Sequence, residues 1–450
     1  MLIVRDKRFY LSLITIALPI ALQNFINFAV NMLDTVMVAS MGEASMSSVS
    51  LANQVTNLMM FFVRGMTGGT AVLISQYWGK RDMTRIKSIM GIGMKCCLLI
   101  SFGVAAVIFA CPETVMSLMT NEAELIRIGA SYLRIVCVTY VIVAISDTMV
   151  AMLRCVEVVG VSLYVSLFSF FVNIGANYTL IYGKFGFPAL GVQGAAIATV
   201  FTRMVEFAIV FGYIRFIDQK LKLRIKELLH SEKILWHDFM CYGVPIVIGD
   251  VLWGLVGTVK SAVIGHLGAD AVSAFSISEV VLQLATVFIF GLAGGACVVI
   301  GMTVGAKQYD LTKLYARTLQ ILFAVLGIVA GVFTVLIRNP VISFYNVSVE
   351  TQVLASTCLI FGAVTLVGTS YAASCFIGIN RGAGDSNFVV KTDMICGWGI
   401  VIPLTFLAGI VFKLPIPVVY FCSRIDQLVK VFVAFFRLRG DRWIKNVTRD

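Results

Sequence analysis

About twelve apolar stretches, each long enough to cross a lipid bilayer, constrain the fold of this chain more than any other feature of its sequence. A membrane-spanning helix needs about 20 apolar residues, and the chain has 450 residues, of which 59% are hydrophobic and 13% charged. We therefore expect an all-α membrane protein. The expected helices lie near residues 10–40, 46–77, 88–111, 129–153, 160–183, 190–216, 238–266, 273–305, 314–337, 353–380, 388–412 and 414–437, with short amphipathic helices after Pro112 and Pro340.

Basic residues are distributed unequally between alternate connections of these helices. One side of the expected topology carries 24 Lys and Arg residues, and the other side carries four. The positive-inside rule then predicts that both termini and the loop 215–238 are cytoplasmic and that the chain is a multi-pass protein of the cell membrane. The net charge of +11 is interpreted as juxtamembrane anchoring to anionic lipid, not as a nucleic-acid-binding surface.

The two halves of the chain repeat each other. A shift of 226 residues aligns their first two helices without a gap. Close helix packing alone would explain the small residues, but it would not explain a shared register. We predict two six-helix lobes of the same orientation, residues 1–225 and 226–450, with a substrate site in the cleft between them. The matched positions include Pro19 with Pro245, Gly42 with Gly268, Ser50 with Ser276, Gly65 with Gly291, Gly69 with Gly295 and Gly79 with Gly305.

Four polar side chains of the first half are predicted to lie at similar depths in the membrane. Asp34 and Asn177 each precede the expected outer end of their helix by six residues, which places them about 9 Å deep. Asn173 lies one turn deeper on the same face as Asn177, and Thr199 lies between these depths. One carboxylate and several neutral oxygens suit a hard cation such as Na+, or a carboxyl group that exchanges a proton. For the two asparagines alone, interhelical hydrogen bonding is the alternative interpretation.

In the second half, two positions differ in charge from their counterparts in the first half. The 226-residue shift places Lys260 on Asp34 and Glu279 on Asn53, and both charged side chains are expected about 9 Å from the outer surface. We interpret them as an ion pair that supplies this lobe with a permanent cation. The alternative is that Lys260 extends to the membrane interface alone.

Several segments resemble the multidrug and toxic compound extrusion (MATE) family in order and spacing. They are NMLDTVMVASMG at 31–42, VSLANQ at 49–54, GMTGGTAVLISQYWGKRD at 65–82, FVNIGANYTLIYGKFGFPALGVQGAAIAT at 171–199, INRGAGDS at 379–386, and IPLTF followed by RWIKNVT near the end. The resemblance implies a twelve-helix exporter with two lobes. It also implies that an inward gradient of Na+ or H+ drives the expulsion of amphipathic, often cationic, compounds.

The resemblance also implies roles for individual residues. Asp34, Asn173 and Asn177 match the family's cation site, and Thr199 matches it less closely. Asp250 lies where relatives often carry a glutamate, which implies a role in binding a cationic substrate or a second proton.

Other charged residues have several possible partners. Trp253 stands where another branch of the family has an acid, so the mechanism of that branch does not transfer directly. Arg64 lies in mid-span and can face Asp250 or pair with Asp147. Near the expected inner surface, three pairs are interpreted as gate or loop ion pairs or as topology anchors: Arg154 with Glu157, Arg203 with Glu206, and Arg381 with Asp385.

Alternative functions are weaker on the residues present. A flippase for lipid-linked saccharides should need a strongly basic cavity, and the mid-span charges here are of mixed sign. An enzyme is disfavoured because the chain has three histidines and lacks the H-E-x-x-H and G-x-S-x-G motifs. We expect a functional monomer that exports small organic molecules, with Na+ or H+ as the coupling ion and no cofactor.

Overall fold

The structure is a computed structural model, and it describes residue 4 and residues 6–223, 227–228, 232–343, 345 and 347–449. The predicted lobe boundary at residues 225 and 226 lies outside the described residues. The helices of the first half are α1 (Lys7–Ala39), α2 (Glu43–Lys80), α3 (Met83–Ala110), α4 (Pro112–Ser117), α5 (Ala123–Val136), α6 (Val138–Cys155), α7 (Gly160–Tyr182) and α8 (Gly191–Gly212). Those that follow are α9 (Lys233–Asp238), α10 (Val244–Gly265), α11 (Ala269–Gly305), α12 (Tyr309–Ile342), α13 (Val349–Ala372), α14 (Ser386–Met394), α15 (Ile402–Phe406), α16 (Ile416–Cys422) and α17 (Asp426–Arg439).

Most of the predicted spans are present as continuous helices. π-Helical turns extend α8, α13 and α15, and they join α9 to α10 and α14 to α15. Within the described part of the chain, 11 helices are long and apolar enough to cross a membrane. The twelfth predicted span, 414–437, is divided into α16 and α17 by residues 423–425.

Prolines mark two helix ends, with different outcomes for the predicted short helices. α4 begins at Pro112, as expected, because a helix's first turn does not need the missing N–H. The expected helix after Pro340 was wrong, since this proline lies within the last turn of α12 and the described residues between α12 and α13 form no helix.

Contacts divide the chain into two compact units that do not follow sequence order. One unit contains residues 1–21, 75–81 and 248–450, and the other contains residues 22–74 and 82–247. Each unit therefore includes helical segments from both halves of the sequence. The predicted lobes, 1–225 and 226–450, stay a prediction about the symmetry of the chain.

The repeated glycines make reciprocal close contacts. In one unit, Gly65 packs against the backbone of Val247, where an added Cβ would lie 2.6 Å from a Cα atom. In the other unit, Gly291 packs in the same way against Ala21. The 226-residue shift converts one contact into the other, so the register of the repeat encodes the approach of each half's second helix to the first helix of the other half. Gly69 with Gly243 corresponds likewise to Gly295 with Ala17, and Gly79 with Met302 corresponds to Gly305 with Gln76.

Residues 443–449 pack against the C-terminal end of α2 within their unit. The Gln76 amide donates to the carbonyl oxygens of Gly382 and Lys445, at 3.1 and 3.2 Å, and its oxygen accepts from the Val447 backbone at 2.8 Å. Trp443 is buried beside these contacts. The C-terminal segment is thus part of the fold of this unit.

Candidate functional site

Asp34, Asn177 and Asn173 lie in direct contact. The side-chain amide of Asn177 donates to Asp34 Oδ1 at 2.6 Å and to Asn173 Oδ1 at 3.1 Å. Both asparagines are buried, and Asp34 is partly exposed. The structure therefore brings together three of the four residues that the sequence singled out by depth.

The parallel packing of α1 and α7 produces this contact. Near their final turns, the Ser40 hydroxyl lies 2.8 Å from the Tyr182 hydroxyl. Five to six residues earlier along each helix, with the pairing shifted by one residue, Asp34 lies beside Asn177. A carboxylate in an apolar span is costly, and hydrogen bonds from a neighbouring helix offset part of that cost.

The fourth predicted residue, Thr199, lies on α8, which packs closely on α7. Gly194 faces the backbone of Leu180, and any larger residue would separate the two helices. The Thr199 hydroxyl donates to the Ala195 carbonyl oxygen at 3.0 Å, so its lone pairs stay available as acceptors. Thr199 lies near the buried phenol of Tyr132, which in turn lies beside Asn53.

Sequence reasoning missed Tyr132 and Asn53 as neighbours of this cluster. The Tyr132 hydroxyl lies 3.4 Å from Asn53 Oδ1. Asp34 is close enough for its charge to act on the Tyr132 phenol. A signal was present for Asn53, because the internal repeat aligns it with Glu279. For Tyr132 the sequence held no such signal.

The oxygen atoms of the cluster fit a hard monovalent cation or a proton. Asp34 supplies a carboxylate, Asn173 supplies an amide oxygen, and Asn177 Oδ1 is buried with no hydrogen-bond partner among the described residues. A buried acceptor without a donor is unfavourable, and a bound cation would satisfy it. The arrangement can thus bind Na+ or hold a proton on Asp34.

In the second half, Lys260 and Glu279 lie close together, as the ion-pair interpretation requires. Lys260 Nζ is 3.4 Å from Glu279 Oε1. Arg424, in the break between α16 and α17, lies 3.1 and 3.2 Å from the two carboxylate oxygens of Glu279. Nothing in the local sequence marks Arg424 as a partner of Glu279, which lies 145 residues away.

Asp250 pairs with Arg381, and this corrects one predicted pair. Arg381 Nη2 lies 2.6 Å from Asp250 Oδ1. The expected pair of Arg381 with Asp385 was wrong, because the buried Asp385 carboxylate binds Arg437 at 2.6 Å and Lys445 at 2.6 Å. Local spacing suggested the pair, whereas the C-terminal residues supply closer cations.

A further buried ion cluster, absent from the sequence predictions, surrounds Lys430. The ammonium lies 2.9 Å from Asp393 Oδ1 and 3.2 Å from Asp426 Oδ2. It also lies 4.0 Å from the centre of the Trp253 ring, where a cation–π contact is favourable. A lysine thus occupies the space beside Trp253, the position where the family resemblance leads one to look for an acid.

Three arginines of the first half have predicted partners, and the structure gives each a different outcome. Arg203 pairs with Glu206 at 2.7 Å, which confirms that contact. Arg154 donates to the Gln23 side chain instead of to Glu157. Arg64 is exposed, and its charge acts on Asp147.

A family model described as MatE matches residues 19–179 and 245–407 of the chain. An uncharacterised transporter, YisQ, of Bacillus subtilis is 26% identical over 98% of this chain and 96% of its own length. A multidrug resistance protein, MdtK, of Photorhabdus laumondii is 23% identical over 89% of this chain and 87% of its own. A probable multidrug resistance protein, NorM, of Halalkalibacterium halodurans is 24% identical over 88% and 86%.

Solved structures share the fold. An outward-facing multidrug resistance transporter of the MATE family superposes with a TM-score of 0.87 at 17% identity, covering 98% of this chain and 96% of that one. A eukaryotic MATE transporter superposes with a TM-score of 0.86 at 16% identity, covering 98% and 97%. These likenesses establish a twelve-helix architecture for the chain.

Proposed function

The chain belongs to the MatE family of membrane transporters, and from this premise we propose that it is a multidrug exporter that couples efflux to the entry of Na+ or H+. The names of the relatives, multidrug resistance proteins of several bacteria, support the substrate class. The substrates are amphipathic organic compounds, often cationic. The protein works as a monomer by alternating access.

One observation supports the coupling role above all others: Asp34 accepts a hydrogen bond from the buried Asn177, which also donates to the buried Asn173 and whose own amide oxygen lacks a donor. Ion binding can drive a transport cycle only if it favours one conformation over another. Occupancy of this cluster changes the charge between α1 and α7. Asp34 therefore links the bound ion to the conformation of its helices.

The test is efflux of ethidium from cells that express the wild-type protein or Asp34→Asn. Energy is supplied by an imposed Na+ gradient in one arm and by a pH gradient in the other. We expect the wild type to respond to one gradient and Asp34→Asn to lose at least about 90% of that response, because a neutral amide neither binds Na+ strongly nor exchanges a proton.

The matched control is Asp310→Asn, which makes the same change at an exposed residue in the first turn of α12. It should leave efflux unchanged. Equal efflux by Asp34→Asn and the wild type would refute the coupling site. If well-expressed wild-type protein exports no ethidium under either gradient, the multidrug proposal itself fails.

A further inference from the structure

Two side chains of opposite charge are exposed on helical stretches that are otherwise covered. Every residue from Met59 to Lys80 is described, and Arg64 is the only exposed one among them. Every residue from Thr139 to Cys155 is described, and Asp147 is the only exposed one. A helix facing lipid would expose many apolar neighbours as well. These two side chains therefore face a local opening within their unit.

The packing of α2 on α6 fixes the relative heights of the two helices. The Thr56 hydroxyl lies 3.0 Å from the Tyr140 hydroxyl, and the Cys155 thiol lies 3.8 Å from the Ala71 carbonyl oxygen. Both contacts join residues 84 positions apart. The helices thus run parallel in one constant register between these contacts.

The same register places Arg64 level with Thr148, one position from Asp147. The charges of Arg64 and Asp147 act on each other, but no carboxylate of the described residues lies within 4.0 Å of the Arg64 guanidinium, which instead lies 5.8 Å from the Phe61 ring centre. The two cations that act more strongly on Asp147, Arg203 and Arg154, have hydrogen-bond partners of their own, Glu206 and Gln23.

An unpaired arginine and an unpaired aspartate at one height inside a membrane protein are costly unless a ligand joins them. We propose that Arg64 and Asp147 form a substrate site for zwitterionic amphiphiles, in which Arg64 binds the carboxylate and Asp147 binds the ammonium or iminium group. Guanidinium matches a carboxylate with two parallel hydrogen bonds, and this match distinguishes zwitterions from plain cations. The inference rests on the proposed export function and names its substrate class.

A matched pair of dyes tests it. Rhodamine 110 carries a free carboxylate beside its cationic ring system, and rhodamine 123 is the methyl ester of the same molecule. Full-length protein in proteoliposomes, energised by the ion gradient that supports ethidium export, should transport both dyes. In Arg64→Gln, transport of rhodamine 110 should fall about tenfold or more through loss of a charge-assisted hydrogen bond, whereas transport of rhodamine 123 should change less than about twofold.

Two further variants sharpen the result. Arg64→Lys keeps the charge without the planar fork, so it should transport rhodamine 110 at an intermediate rate and shows that the site tolerates substitution. Asp147→Asn should slow both dyes, since both are cationic at the ring system. The control is Arg134→Gln, which removes an exposed arginine on α5 and should affect neither dye.

The outcomes separate this inference from the function on which it rests. If the wild type transports rhodamine 123 but not rhodamine 110, the zwitterion site is refuted while multidrug export stands. Equal losses of both dyes in Arg64→Gln, with normal yield and monodispersity, would refute carboxylate recognition and assign Arg64 a structural role. If the wild type transports neither dye nor ethidium, both proposals fail.

Discussion

Glu279 contacts two cations, and they are not equivalent. Arg424 approaches both carboxylate oxygens, and its side chain is 12% exposed, whereas Lys260 approaches one oxygen at 3.4 Å and is 20% exposed. Glu279 itself is 42% exposed, so water weakens each pair. The closer contacts and the deeper burial make Arg424 the stronger partner.

This geometry predicts unequal effects of removing the two cations. Arg424→Met should lower the thermal stability of the purified protein more than Lys260→Met does, because it leaves Glu279 with the more distant cation only. Glu279→Gln should cost less stability in the Lys260→Met background than in the wild type, with a coupling energy of about 1 kcal/mol, because one of the two pairs is already absent there. The measurement is the temperature at which half of the protein stays monodisperse in detergent, with transport as a second readout.

A result in which the single and double variants lose stability additively would contradict direct pairing of Lys260 with Glu279. Comparable losses for Arg424→Met and Lys260→Met would contradict the ranking of the two partners.

At the same scale, the sequence predicted partners that share a depth and missed those that need the fold. The sequence pairs Lys260 with Glu279 because both are expected near the outer end of adjacent helices. Lys430 and Asp426 are four residues apart on α17, but Asp393 lies on α14, and neither spacing nor depth selects it as their partner. Asp385 was assigned to its near neighbour Arg381, because the sequence does not show that the C-terminal segment returns to this turn.

Among the elements, the glycines of the internal repeat have a structural explanation. Gly79 approaches the Met302 backbone, and Gly305 approaches the Gln76 backbone, so each contact is the 226-residue counterpart of the other. A side chain at either glycine would meet main-chain atoms, which cannot rotate away. Exact repetition in sequence thus reflects repeated backbone contacts between α2 and α11.

Alanine substitutions test this explanation. Gly79→Ala and Gly305→Ala should each destabilise the protein by about 1–3 kcal/mol through overpacking, and by similar amounts because the contacts are equivalent. Gly103→Ala is the control, since a Cβ there meets nothing within 4 Å and alanine favours the helix of α3. Detergent thermal stability of the three variants is the measurement. Neutral behaviour of Gly79→Ala and Gly305→Ala would show that the helices can separate at no cost.

Helix positions were predictable because apolar length and charged breaks follow directly from the bilayer. The exceptions are local. The twelfth span is divided at residues 423–425, and Arg424 within this break contacts Glu279. α12 continues two residues past Pro340, and the described residues among the six that precede α13 (343, 345, 347 and 348) form no helix.

At the scale of the whole molecule, the family resemblance and the architecture are confirmed, and the depth argument brought Asp34 to the two asparagines. Depth could do so because two parallel helices that end at the same membrane surface place residues equally far from their ends at the same height. It could not identify Tyr132, whose phenol comes from α5, a helix on which no residue is assigned a depth. The side of the membrane that the site faces still depends on the distribution of basic residues.

That distribution predicts that both termini are cytoplasmic, and the prediction determines how the proposed coupling works. Asp34 is near the end of α1, so a cytoplasmic N-terminus places the ion cluster close to the outer surface, from which an inward gradient supplies ions. Green fluorescent protein fused to either terminus should then fluoresce, and alkaline phosphatase fused after Lys184 or Lys413 should be active, whereas fusion after Lys220 should be inactive. The opposite fusion pattern would place the ion cluster near the cytoplasmic surface. Ions moving inward would then leave the protein at the cluster instead of entering there, which would contradict the proposed direction of coupling.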